Sequence, residues 1–138
     1  MKQRQIFITA FDKQRLDELI AVAREFGEHA RDDLDDLAAE MARAKIIEPK
    51  KVPAYVVTMN SKVVLHDLDT SEKETYVLVF PTEADVDSGA ISVLAPIGTA
   101  ILGYREGSVV EWPVPSGKRR IRIERILYQP EAAGHFDR

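Results

Sequence analysis

Four aspartates crowd the stretch "RDDLDDL", residues 31–37: Asp32, Asp33, Asp35 and Asp36. On a helix, Asp32 and Asp35 are three apart, as are Asp33 and Asp36, so each pair shares a face. Two carboxylates on one face can bind Mg²⁺ weakly, best when a second molecule supplies the remaining oxygens. The same residues have a plainer use. Acids in the first turn of a helix cap free N–H groups and meet the positive end of its dipole, each contact worth roughly 0.3–1 kcal/mol. One or two acids are enough for that, and close carboxylates repel one another. Capping with surface charge is the simpler account of the four, and metal work the sharper one.

Other chemistry is sparse. His29, His66 and His135 are far apart, with no partner at metal-ligand spacing, and there is no cysteine for a thiolate site. "PSGK" is a turn rather than a nucleophile elbow. Gly98, Gly103 and Gly107 lack the lysine and spacing of a phosphate loop and read as turn and helix-end residues. Trp112 and Tyr128 read as core or half-buried sheet aromatics. No catalytic residue, resident metal or cofactor is expected. Charge is uneven, however. Residues 25–40 carry seven acids against Arg31, while 118–125 carry Lys118, Arg119, Arg120, Arg122 and Arg125 against Glu124. That basic run could touch RNA phosphate or an acidic protein surface, or serve only as a solvated strand edge.

Two kinds of periodicity position these residues. Leu16, Leu19, Ile20, Ala23 and Phe26 make an apolar stripe at helical spacing over residues 9–26, with Thr9 as N-cap complemented by Asp12 and Gly27 as the stop. A second helix is expected over Asp32–Ile46, its stripe at Leu34, Leu37, Met41 and Ala44. Steps of three and four and a short link predict an antiparallel coiled-coil hairpin. "EPKKVP", residues 48–53, breaks the helix and joins the two parts. Beyond it, "YVVTM", "KVVLHDL", "ETYVLVF", "ISVL", "VVEWPV" and "RRIRIERILY" read as strands, the last with Ile121, Ile123 and Ile126 on one face and Arg120, Arg122 and Glu124 on the other. Ile97, Ala100, Ile101 and Leu102 predict a short helix ended by Gly103. The class is α+β: a helical hairpin over residues 1–50, then an antiparallel-sheet domain over 53–138.

The chain has 138 residues, 45% of them hydrophobic, so it can build a real core. Net charge is −4, which opposes nucleic-acid binding over the whole surface. The start is too interrupted for a signal peptide, and no run reaches the roughly 20 apolar residues of a membrane helix. A soluble, cytoplasmic protein that makes no membrane contact is expected.

"APIGTAILGYREGSVVEWPVPSGKRRIRIERILY" resembles the C-terminal domain of the GreA/GreB transcript-cleavage factors, through Ala95, Pro96, Ile97, Ala100, Ile101, Leu102, Gly103, Gly107, Pro115 and Gly117. "VVTMNSKV" and "YQPEAAGHF" resemble a narrower branch of that family, the Rnk-type regulators. The resemblance implies an FKBP-like second domain, a shortened coiled coil and binding to RNA polymerase near its secondary channel. In the Gre factors a long finger carries an Asp-x-x-Glu pair that helps hold a catalytic Mg²⁺. Here the finger is shorter, and its tip offers Asp32-x-x-Asp35 and Asp33-x-x-Asp36 with no glutamate. The expectation is a monomeric, non-enzymatic regulator that competes with Gre factors without stimulating cleavage, in contact with RNA polymerase and with nucleic acid in the transcription complex. The resemblance puts docking at Met59, Asn60, Ser61, Pro96, Ile97, Gly98, Tyr104 and Arg105. The rivals are an active cleavage cofactor using the tip aspartates, and an FKBP-like isomerase or small-ligand domain, which a deep aromatic-lined pocket would support.

Overall fold

The computed structural model describes residues 6–26, 31–114 and 117–135. The expected stop at Gly27, His29, and the turn residues Pro115 and Ser116 lie outside them, as do the side chains of Phe26 and Trp112.

Strand β1 (Phe7–Thr9) leads directly into helix α1 (Ala10–Phe26). The Thr9 Oγ1 accepts the Asp12 N–H at 3.0 Å, satisfying one of the donors a helix start leaves open. Leu16, Ile20 and Ala23 form the buried stripe of α1, and Leu34, Leu37 and Met41 that of α2 (Arg31–Ala42); Leu19 and Ala44 are partly buried. The second helix is shorter than its pattern suggests. It ends at Ala42, and Lys45–Ile47 form strand β2, parallel to β1 with Phe7 opposite Lys45 and Thr9 opposite Ile47. Two physical causes act together. Ile46 and Ile47 are β-branched and stiff against a helical turn. The β1 backbone also supplies a partner, since the Lys45 N–H donates to the Ile6 carbonyl at 2.9 Å.

The main sheet has five strands in the order β5-β4-β3-β7-β6. These are β3 (Lys62–Asp67), β4 (Lys73–Val79), β5 (Ala90–Ser92), β6 (Val109–Val114) and β7 (Gly117–Tyr128). The sheet is mixed rather than wholly antiparallel, because β5 joins β4 in parallel. Short 3₁₀ turns at Pro81–Glu83 and Val86–Ser88 carry the chain back so that it re-enters in the same direction. "YVVTM" is not a strand of this sheet. It is a loop, buried from Val56 to Met59 with Tyr55 exposed, and it makes a single bridge from Val56 to Arg105. Its backbone is satisfied from elsewhere: the Val57 N–H donates to the Tyr104 carbonyl at 2.8 Å, and the Gln129 amide donates to the Pro53 and Val56 carbonyls at 2.8 and 2.7 Å. Side-chain donors thus replace the ladder that β-propensity predicts.

On β7, Ile121 and Ile123 face the core as expected. Ile126 is on that side only because a register shift leaves Glu124 as an extra residue between Ile123 and Arg125. Helix α3 (Pro96–Ile101) packs near β6 and is followed by Gly103 at φ +82°. One hydrophobic cluster unites Ile6 and Ile8, both helices, Val57, Met59, the sheet's inner face and α3. No described helix is long and apolar enough to cross a membrane.

Candidate functional site

The tip aspartates all fall in the first two turns of α2. Asp35 is exposed; the side chains of Asp32, Asp33 and Asp36 lie outside what the structure describes. Their placement on one helix follows from the apolar stripe of Leu34, Leu37 and Met41, which gives that helix its buried face.

The docking candidates divide by burial. Met59 and Ser61 are buried and build the turn before β3. Ser61 Oγ accepts the Thr58 N–H at 2.9 Å, and the Asn60 N–H donates to the Leu78 carbonyl at 2.6 Å. Asn60 adopts φ +67°, a conformation asparagine tolerates better than most residues. Pro96 opens α3, and Gly98 is buried where a Cβ would lie 2.2 Å from the Ser92 carbonyl oxygen, so only glycine lets α3 approach β5 this closely. Ile97 is half-buried and lines a cleft of about 290 Å³ with Leu65, Ile121, Asp67, Arg119 and Tyr76. Tyr104 accepts a hydrogen bond from Arg43 at 3.1 Å, and the exposed Arg105 guanidinium lies 5.8 Å from the Tyr55 ring. The Ile97 cleft is rimmed by Glu72 and Glu74 and has Tyr76 as its one aromatic, unlike the aromatic-lined pocket the isomerase reading requires. Tyr76 donates to Glu74, which pushes the phenol up to about 12.

A second constellation has no local sequence signature. Asp12 on α1 is almost fully buried; its Oδ2 accepts the Met59 N–H at 3.0 Å and its Oδ1 accepts from Arg15 at 2.6 Å. Arg15 lies over the Phe11 ring at 4.0 Å and the Phe80 ring at 4.9 Å. Nearby, the Thr58 hydroxyl donates to Glu131 at 2.7 Å and meets Ser61 Oγ at 3.0 Å. Burial raises both carboxyls above their ordinary values; Asp12 also lifts Glu131 by like charge. The network ties the first helix to the turn at 58–61 and to the segment after β7. Asp12 is legible as a helix-start residue, but its partner Met59 lies 47 positions away.

Of the histidines, His66 faces Glu124 at 3.2 Å and His135 meets the Tyr128 hydroxyl at 2.6 Å. The described residues contain no group of three or more potential ligands suited to a metal. Within the basic run, Arg119 pairs with Asp67, and Arg120 pairs with Asp69 at 3.2 Å.

Residues 52–128 match the family described as "Transcription elongation factor, GreA/GreB, C-term", and residues 4–47 match "Rnk N-terminus". The chain belongs to the GreA/GreB family of transcription elongation factors. More particularly, it is 35% identical over 137 residues to the regulator of nucleoside diphosphate kinase of Escherichia coli K12, covering 99% of this chain and 98% of that one. It is also 33% identical to the transcription elongation factor GreA of Desulfotalea psychrophila, over 91% of this chain and 88% of that one. Among solved structures, a GreA/GreB elongation factor from Nitrosomonas europaea superposes with a TM-score of 0.73 at 38% identity, covering 90% of this chain and all of the other.

Proposed function

We propose that this protein is a regulator that binds RNA polymerase near the secondary channel and competes there with Gre factors without stimulating transcript cleavage. The observation that carries the reading is the length of the helices. The similarity to the regulator of nucleoside diphosphate kinase of Escherichia coli runs over nearly the full length, and α1 has only 17 residues and α2 only 12, about 26 and 18 Å at 1.5 Å per residue. We read them as a short antiparallel coiled-coil hairpin over residues 1–50, carried by an FKBP-like domain over 53–138. A carboxylate held short of the catalytic centre cannot complete a metal shell there, because Mg²⁺ coordination needs oxygens within about 2.1 Å of the ion. The tip aspartates then act by charge. They favour entry into a channel that holds Mg²⁺ and basic groups.

Docking falls to the accessible members of the candidate set, Asn60, Ile97, Tyr104 and Arg105. Met59, Ser61 and Gly98 shape the loops that present them. The same reading makes the protein a cytoplasmic monomer with no enzymatic activity of its own.

The test is capture of core polymerase by the full chain, followed by competition with a Gre factor. Capture reversed by the Gre factor supports the reading. Capture unaffected by a saturating Gre factor sinks the shared-site part of it. Mg²⁺-dependent cleavage by the chain alone would favour the cleavage-cofactor rival.

A further inference from the structure

The basic run on β7 becomes more than an edge once the register is known. Along β3, Val63, Leu65 and Asp67 are buried, and Lys62, Val64 and His66 occupy the opposite face. Their cross-strand partners extend that face: Lys73 and Arg122 flank His66, Thr75 and Arg125 flank Val64, and Val77 and Tyr128 flank Lys62. Lys62, Lys73, Thr75, Arg122 and Arg125 are all exposed. Adjacent strands lie about 4.8 Å apart, so Lys73, His66 and Arg122 form a row across three strands. At the Lys62 end, the face opens into a cleft of about 550 Å³ lined by Arg15, Asn60, Lys62, Glu83 and Tyr128 over a valine floor.

Two acids of this region are held in ion pairs, Asp12 with Arg15 and Asp69 with Arg120, whereas Glu124 lies 3.2 Å from His66 and Glu111 stands opposite Arg120 only in strand register. Glu83 remains on the cleft lip. Lys62, Lys73, Arg122 and Arg125 take part in no ion pair among the described residues. They form a cationic band on a protein whose net charge is −4.

We propose that this open sheet face and the cleft at its end bind single-stranded nucleic acid, with the phosphates along the Lys73–Arg122–Arg125–Lys62 band and one base against the Tyr128 ring. Arginine forks match phosphate oxygens in pairs, and a cationic groove with an aromatic platform is the chemistry of sequence-tolerant single-strand binding. The concave end favours a single strand, because only an unpaired base can turn into it. An acidic peptide would use the cations and have no need of the ring. The inference is independent of polymerase binding.

The experiment uses the full chain without polymerase and follows the anisotropy of a labelled oligouridylate across a salt series. Affinity should fall log-linearly with salt, by about 0.7 in slope for each phosphate neutralised on a single strand. The R122A/R125A variant should lose about 1.4 of that slope and bind on the order of tenfold more weakly at low salt. K62A/K73A should do the same by an independent route. Tyr128→Leu should weaken binding with the slope intact. The control K45A/K51A, which removes exposed lysines elsewhere, should change nothing. The proposal is overturned if the wild-type chain does not bind at low salt, if the control loses as much as R122A/R125A, if duplex binds better than single strand, or if polyglutamate binds better than RNA. The last result would assign the face to an acidic protein instead.

Discussion

Asp12 and Glu131 set an unusual pH dependence. Both carboxyls are raised, chiefly by burial, above ordinary values of 3.8 and 4.5. A carboxyl with a raised folded pKa holds its proton more tightly in the native state than in the unfolded one. Its stabilising contribution is therefore fully present below the unfolded value and is lost as pH rises through the folded value. These two groups accordingly resist acid unfolding rather than drive it. Glu131→Gln keeps an acceptor for the Thr58 hydroxyl while removing the titration, so urea unfolding between pH 4 and 7 should show a flatter pH slope than wild type. An unchanged slope would place the titration elsewhere. At Gly98 the argument is steric: Gly98→Ala puts a methyl 2.2 Å from the Ser92 carbonyl oxygen, and the strain should cost about 1–3 kcal/mol or more in denaturant unfolding. Gly107→Ala meets no atom within 4 Å, so its cost comes from φ +86° alone and should be smaller.

The elements show which sequence signals carry weight and which are overridden. The stripes at Leu16 and Ile20 and at Leu34, Leu37 and Met41 recur as buried faces because helical periodicity directly encodes a helix's contact with a core. Leu37 is fully buried and Leu19 only partly, so Leu37→Ala should cost about 2–5 kcal/mol and Leu19→Ala less, read as lost hydrogen-exchange protection over α1 and α2. Equal losses would show that the buried seam runs elsewhere. Lys45–Ile47 as strand, the parallel entry of β5 and the loop at Tyr55–Met59 were not legible, since each depends on a backbone partner far away in the chain. The Gln129 side chain that serves Pro53 and Val56 is 76 and 73 positions distant. Likewise the tip aspartates are visible as composition, whereas the Asp12–Met59 and Thr58–Glu131 contacts exist only once the chain has folded.

At the scale of the whole molecule, one core and a set of long-range polar contacts join the helices to the sheet. The two helices have 17 and 12 residues, and in the proposed reading the acids of the second act through charge. Asp33→Asn with Asp36→Asn should slow association with polymerase and leave the fold intact. The effect should shrink as added salt screens wild type as well; the Debye length falls from about 10 Å at 0.1 M to about 3 Å at 1 M. Stopped-flow association at two ionic strengths measures this, and equal rates for both proteins at low salt would remove the charge argument. The most direct test of the account is transcript cleavage in a backtracked elongation complex, with the chain titrated in alone and then against a fixed amount of a Gre factor. The account predicts no shortened transcript from the chain alone and a dose-dependent fall in Gre-stimulated cleavage. Robust Mg²⁺-dependent cleavage by the chain alone, abolished by the double asparagine variant, would contradict it.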